Sequence, residues 1–306
     1  MEPRDLQGLI SAIVTPMRED FSVDETSLRR YVRWLSEHGI AGMAVNVDTG
    51  EGPHLSADER IRVLELVTEE VGDRTLIVAG LAASFTEQSR RLAADAAAAG
   101  AHALLVFPIP VYQGEPLDPE IPVRYHGAVY EASRLPLIAF QLQPALGGVN
   151  FSVDVLERLM NAEGVVAIKE ASFDAKRFVE TVRAVRAAAP DAVVLNGNDN
   201  FLLEAYLLGA EGALLGFGTL AAREQVEMLD AVRAQDLDRA RELAAMLQPL
   251  CDAIFTAPVR DYRARTKHAL ARLGVIDHAF VRPPLLPLSP NESAGVERAL
   301  KEASLL

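Results

Sequence analysis

The sequence predicts a (β/α)8 barrel followed by an all-helical C-terminal extension. Three observations predict it. Short apolar runs alternate with amphipathic helical patterns at a period of roughly 30 residues, the size of one βα unit. Eight such runs occur with no hairpin signal between them, which favours a closed parallel barrel over an open sheet. A small repeat marks the same joint three times, as Gly39-Ile40-Ala41-Gly42, Gly100-Ala101-His102-Ala103 and Gly209-Ala210-Glu211-Gly212. Each joins a helical pattern to an apolar run, and glycine is the natural residue just past a helix end, where left-handed backbone is needed.

Taken in order, Gly8 to Val14 reads as the first strand, stopped by Thr15-Pro16. Ser22-Val23-Asp24-Glu25 has the form of a capping box, opening a helix with Leu28, Tyr31, Val32 and Leu35 on one face. The second strand is expected at Met43 to Val47. Ser56 to Glu59 caps the next helix, with Ile61, Leu64, Val67 and Val71 on its apolar face, and a strand follows at Thr75 to Ala79. Ser84-Phe85-Thr86-Glu87 reads as a third box, leading to an alanine-rich helix and a strand at Ala103 to Phe107. The remaining strands are expected at Leu135 to Phe140, Val165 to Lys169, Ala192 to Leu195 and Ala213 to Gly216. No dinucleotide glycine fingerprint follows the first strand, which argues against a Rossmann domain. Beyond Thr219 strands cease. Leu237, Leu243, Leu247, Leu250 and Ile254 keep helical spacing, Pro258 opens a further helix that Gly274 closes, and a proline-rich crossing, Arg282 to Pro290, precedes the last one. This divides the chain into a barrel, 1–225, and a helical domain, 226–306.

Whole-chain properties exclude several function classes. A formal net charge of −13 argues against nucleic-acid binding, because phosphate contacts need clustered Lys and Arg. The single cysteine, Cys251, rules out an internal disulfide framework and fits a reducing compartment. Met1-Glu2-Pro3-Arg4-Asp5 lacks the basic-then-apolar form of a signal peptide, and no apolar run approaches membrane-spanning length. The expectation is a cytoplasmic protein that meets neither membrane nor nucleic acid. Six scattered histidines show no zinc-ligand spacing, so no metal site is expected.

Chemistry in parallel barrels collects at the carboxyl ends of strands. There the run Val165-Val166-Ala167-Ile168 ends on Lys169. A strand-ending lysine can simply point to solvent. Held against apolar neighbours instead, its ammonium would be poorly solvated and the amine available to attack a carbonyl. After the second strand, Asp48-Thr49-Gly50-Glu51-Gly52 offers a hydroxyl and backbone N–H groups to a small carboxylate, or is only a tight turn. Phe140-Gln141-Leu142-Gln143-Pro144 follows the fifth strand and reads as strand-end packing. Asn196-Gly197-Asn198-Asp199 reads as a turn whose Asn and Asp side chains satisfy their own backbone.

Together these segments resemble the dihydrodipicolinate synthase/N-acetylneuraminate lyase family. Gly8 to Pro16 is similar to its opening strand, Asp48-Thr49-Gly50-Glu51 with Leu55 to Arg60 to its Gly-Thr-Thr-Gly-Glu loop and following helix, and Ile168-Lys169-Glu170-Ala171-Ser172 to its lysine motif. The Leu195 to Leu220 segment is similar to its seventh and eighth strands, and the likeness runs nearly end to end. The resemblance implies a lyase, usually a homotetramer (a tetramer or a dimer here), that needs no metal or organic cofactor. It implies that Lys169 forms a Schiff base with pyruvate or another 2-keto acid. Thr49, Gly50 and Gly216 then surround the bound acid, with Thr49 and the Gly50 backbone on its carboxylate. The sequence departs from the family pattern where a tyrosine usually relays protons: Phe140 stands there and has no hydroxyl. Asp48 replaces the first threonine of the loop. Tyr112 is displaced from the usual aromatic position near Pro108-Ile109-Pro110, and Ala145-Leu146-Gly147 offers no arginine for a second carboxylate. Synthase activity in the strict sense is therefore not expected. Asp48, as a carboxyl beside a dry pocket, becomes the candidate general acid/base, and otherwise caps its loop. A keto-acid-binding protein without turnover is the alternative reading.

Overall fold

The computed structural model describes residues 3–306; Met1 and Glu2, part of the stretch read for a leader, lie outside them. Eight parallel strands close into a barrel in sequence order, β1 pairing with β8. They are β1 (Leu9–Ala12), β2 (Gly42–Val45), β3 (Leu76–Leu81), β4 (Ala103–Val106), β5 (Leu137–Leu142), β6 (Val165–Ala171), β7 (Val193–Asn196) and β8 (Gly212–Leu215). Between them run α1 (Glu25–Ser36), α2 (Ala57–Val71), α3 (Thr86–Ala98), α4 (Glu120–Ser133), α5 (Val153–Met160), α6 (Ala175–Ala188) and α7 (Leu202–Leu207), with α8 (Ala222–Arg233) after the last strand. The glycine joints behave as expected: Gly39, Gly100 and Gly209 have φ of +74°, +87° and +113°. A side chain there would meet the steric penalty of left-handed backbone.

Helix entry shows where local patterns mislead. Ser56 and Glu59 do form a reciprocal capping box on α2. The first box does not form, because Asp24 is the cap: its carboxylate accepts from the Ser27 N–H, while Ser22 bonds Asp20. The third does not form either, since α3 starts after Phe85 with no side-chain cap and the Ser84 N–H donates to Gln88. In each case the expected cap serine bonds a different nearby acceptor, Asp20 or Gln88.

Alternation along the strands sorts two cores. Leu9, Met43, Ile77, Leu104, Ile168 and Val194 face outward to the helices, whereas Ile10, Ala44, Val78, Leu105, Ile138, Ala167, Val193 and Leu214 fill the barrel interior. Leu6, from the N-terminal 3-10 turn, packs with the interior set. On β6 the inward parity is 167, 169, 171, so Lys169 points into the barrel axis above Ala167. β5 and β6 are in register there, Phe140 opposite Lys169.

Three helices follow the barrel: α9 (Leu237–Phe255), α10 (Tyr262–Arg272) and α11 (Pro290–Glu302). Residue 225, the expected limit of the barrel, lies within α8. A buried ion pair ties the extension to the β2 loop. Lys267 on α10 donates to Glu51, whose other oxygen accepts the Arg282 N–H at 2.8 Å. Arg282 also forks onto Glu59 at 2.7 and 2.8 Å. The segment between α9 and α10 is thereby laid across the carboxyl ends of the strands. No helix among the described residues is long and apolar enough to cross a membrane.

Candidate active site

A cavity of about 260 Å³ opens at the carboxyl end of the barrel, and Lys169 lines it. The lysine Nζ lies 4.4 Å from the centroid of the Phe140 ring, which meets Phe107 edge-on at 5.0 Å. On the other side is Gly197, where an added Cβ would come within 2.7 Å of Lys169 Cε. Burial lowers the pKa of Lys169 to about 8, against the opposing pull of the Asp199 and Asp48 carboxylates. The amine is therefore held among apolar and small groups and faces the half-open cavity.

The β2 loop brings Thr49 and Asp48 to the same cavity. Thr49 is 4 % exposed. Gly216, after β8, lines the wall beside it; an added Cβ there would sit 3.1 Å from Thr49 Oγ1. Two expectations for this loop need correction. Gly50 is not part of the lining: its N–H donates to the Val47 carbonyl at 3.1 Å and its carbonyl accepts from Thr15, so the turn itself consumes its polar groups. Asp48 is not a lone carboxyl beside a dry pocket. Its side chain is 47 % exposed and ion-paired with Arg263, whose Nε also donates to the Asp48 carbonyl at 2.8 Å. Tyr112 does not reach the cavity at all; it is buried in the outer shell, edge-on to Tyr125 and Phe151.

Sequence reasoning missed two groups. The first is Asp199. Asn198 does satisfy the turn after β7, taking the Asn196 carboxamide oxygen on its N–H at 2.8 Å, but Asp199 turns inward and lines the cavity. Its carboxylate accepts the Phe217 N–H at 2.9 Å, and burial pushes its pKa up to about 6. The loop is locked by Glu170, the outward neighbour of Lys169, which accepts from Gln141 at 2.9 Å and Asn198 at 2.8 Å. The second group comes from the extension: Phe255, Val259, Arg260, Tyr262 and Arg263 close one side of the cavity. No local signal marks them, since they reach the site only through the way the tail folds back.

The sequence model of the dihydrodipicolinate synthetase family matches residues 5–303. The chain belongs to that family. It is thereby a lyase of the class I aldolase type. A 4-hydroxy-tetrahydrodipicolinate synthase of Chlorobium phaeobacteroides (strain BS1) is 30 % identical over 311 residues, covering 100 % of both chains. The solved dihydrodipicolinate synthase of Thermotoga maritima superposes with a TM-score of 0.89 at 28 % identity, over 98 % of this chain and 99 % of that one. The chloride-inhibited dihydrodipicolinate synthase of Acinetobacter baumannii, solved with pyruvate, superposes with a TM-score of 0.86 at 30 % identity, over 98 % and 100 %.

Proposed function

We propose that Lys169 condenses with the ketone of pyruvate or another 2-keto acid. The protonated imine draws electrons from the adjacent carbon, so that a carbon–carbon bond is made or broken next to it, or water is expelled. The observation that carries this reading is the Lys169 amine itself, half-buried near the carboxyl end of β6 at 4.4 Å from the Phe140 ring centroid, where desolvation lowers its pKa to about 8. At pH 7 roughly a tenth of it is free amine, against a few parts in ten thousand for an ordinary lysine. The Thr49 hydroxyl is assigned to the keto-acid carboxylate, with Gly216 leaving room beside it. The solved pyruvate complex of the Acinetobacter relative supports the choice of keto acid.

The same reading separates this protein from 4-hydroxy-tetrahydrodipicolinate synthase, the name its curated relatives bear. Phe140 offers no hydroxyl, and the loop after β5 presents Leu146 to the cavity where a cation would be needed. Phe107, Phe140, Leu142, Leu146 and Phe173 make one continuous apolar side, which suits a larger or less polar partner carbonyl than the synthase's. A homo-oligomer, tetramer or dimer, is part of this proposal; Val111 and Leu146, 60 % and 43 % exposed on loops of the carboxyl end, are apolar surface it would cover. Sedimentation of the purified protein checks that point.

The test is intact mass after incubation with pyruvate and borohydride, on the native protein and on Lys169→Ala. A lysine-dependent adduct is expected. No adduct with pyruvate or a panel of larger 2-keto acids would leave the binding-protein reading in its place.

A further inference from the structure

We propose that Tyr262, carried on α10 of the C-terminal extension, forms with Thr49 and Asp48 the proton path between the Lys169 imine and solvent. The inference rests on the imine reading above. Imine formation moves protons: the amine adds to the ketone to give a carbinolamine, and that hydroxyl must gain a proton to leave as water. Phe140, opposite Lys169 in the sheet register, has none to give.

Among the described residues, Tyr262 is the only one with a phenol that lines the cavity. Its hydroxyl donates to Asp48 Oδ2 at 3.0 Å and lies 3.2 Å from Thr49 Oγ1. A carboxylate only accepts, so the single phenolic proton goes to Asp48, and Thr49 donates to Tyr262. The result is a chain of three exchangeable groups leading from the buried Thr49 to the half-exposed Asp48.

The surroundings hold that chain in place. The Tyr262 ring stacks on Phe255, centroids 5.1 Å apart, and the Arg263 guanidinium lies over the Tyr262 ring at 5.1 Å from its centroid. Arg263 also pairs with Asp48, so adjacent residues of one helix grip the ring and the carboxylate together. Gly216 permits the approach: an added Cβ would meet Thr49 Oγ1 at 3.1 Å and Tyr262 Cε2 at 3.2 Å. Burial, and then the Asp48 charge, hold the phenol well above its ordinary pKa, so it stays protonated and serves as a donor. Asp199 has no comparable route outward. It is buried, and its carboxylate accepts the Phe217 N–H, which passes no proton on.

As the carbinolamine forms, the Thr49 hydroxyl, which first holds the keto-acid carboxylate, turns its proton to the departing carbinolamine oxygen and accepts the proton of Tyr262. Tyr262 is reprotonated from water through Asp48. One proton enters from solvent, one water leaves, and the nitrogen keeps its hydrogen as the iminium. Tyr262 acts through Thr49 and is a positioning and relay residue.

The test mixes enzyme with pyruvate, quenches with borohydride at intervals, and reads the rate of adduct formation by intact mass over a range of pyruvate concentrations. Tyr262→Phe keeps the stacked ring and removes only the hydroxyl. It should lower the limiting rate by ~10²-fold, the usual size of a lost proton-transfer group, while leaving the half-saturating pyruvate concentration within about twofold. An unchanged limiting rate overturns the proposal. So does an unchanged rate with a raised half-saturation, which would make Tyr262 a carboxylate-binding residue. If Tyr262→Phe does not fold, Thr49→Ser and Thr49→Val decide: the serine should stay fast at saturating pyruvate and the valine slow, and equal rates overturn it. Absence of any adduct in the native protein would instead be the failure of the imine reading.

Discussion

Replacing Lys169 by methionine should stabilise the protein while ending its chemistry. The perturbation keeps an unbranched side chain, one atom shorter, and removes its charge. Lowering the amine from its ordinary 10.5 to about 8 means that the folded state holds the ammonium less well than the unfolded chain does. The full difference would be roughly 3 kcal/mol at pH 7; because the amine faces a cavity partly open to water, ~1–3 kcal/mol is the range to expect. The sign follows from proton binding. Between pH 8 and 10.5 the unfolded state binds more protons, so native stability rises with pH through that window and the cost is complete below it. Lys169→Met should therefore gain ~1–3 kcal/mol over the native protein at pH 7 and less than about 0.5 kcal/mol at pH 10.5. Urea unfolding of both proteins at the two pH values measures it, and borohydride trapping confirms that no adduct forms. A methionine protein no more stable at pH 7, or one whose advantage is the same at pH 10.5, would refute the argument that burial sets the reactivity of this amine.

Two more expectations follow from the same geometry. The Asp199 charge pulls the Lys169 pKa upward, so Asp199→Asn should move the midpoint of the pH–rate profile for adduct formation below about 8; a midpoint unmoved or raised would mean the two groups are not coupled. Lys267→Met should cost ~3–5 kcal/mol by stranding the Glu51 carboxylate, and adding Glu51→Gln should recover much of that, as denaturant unfolding would show.

How much was legible in the sequence differs by kind of residue. The (β/α)8 order and the inward placement of Lys169 on β6 follow from local rules, whereas the places of Thr49, Phe140 and Gly216 at the cavity were expected from the family resemblance. Hydrophobic period, glycine at helix ends and the parity of a strand act within a few residues of each other. Asp24 and Ser84 show the limit even there, because which nearby acceptor captures a helix N–H depends on loop geometry that sequence spacing does not give. Gly50 shows it again: its composition suited a carboxylate loop, and the turn spent its N–H on Val47.

The closing side of the cavity lay wholly beyond such rules. Tyr262 and Arg263 stand more than two hundred residues from Asp48, and the fold of the tail, with the buried Lys267–Glu51 pair and the Arg282–Glu59 pair, places them at the barrel mouth. Asp199 likewise shows no pattern of its own, since its character comes from burial beside Lys169 in the folded cavity. Sequence determines this protein's scaffold and the place of Lys169 in it because both are set by near neighbours along the chain. The charge environment and the proposed proton path depend on tertiary structure, because burial and cross-chain distance exist only once the chain is folded.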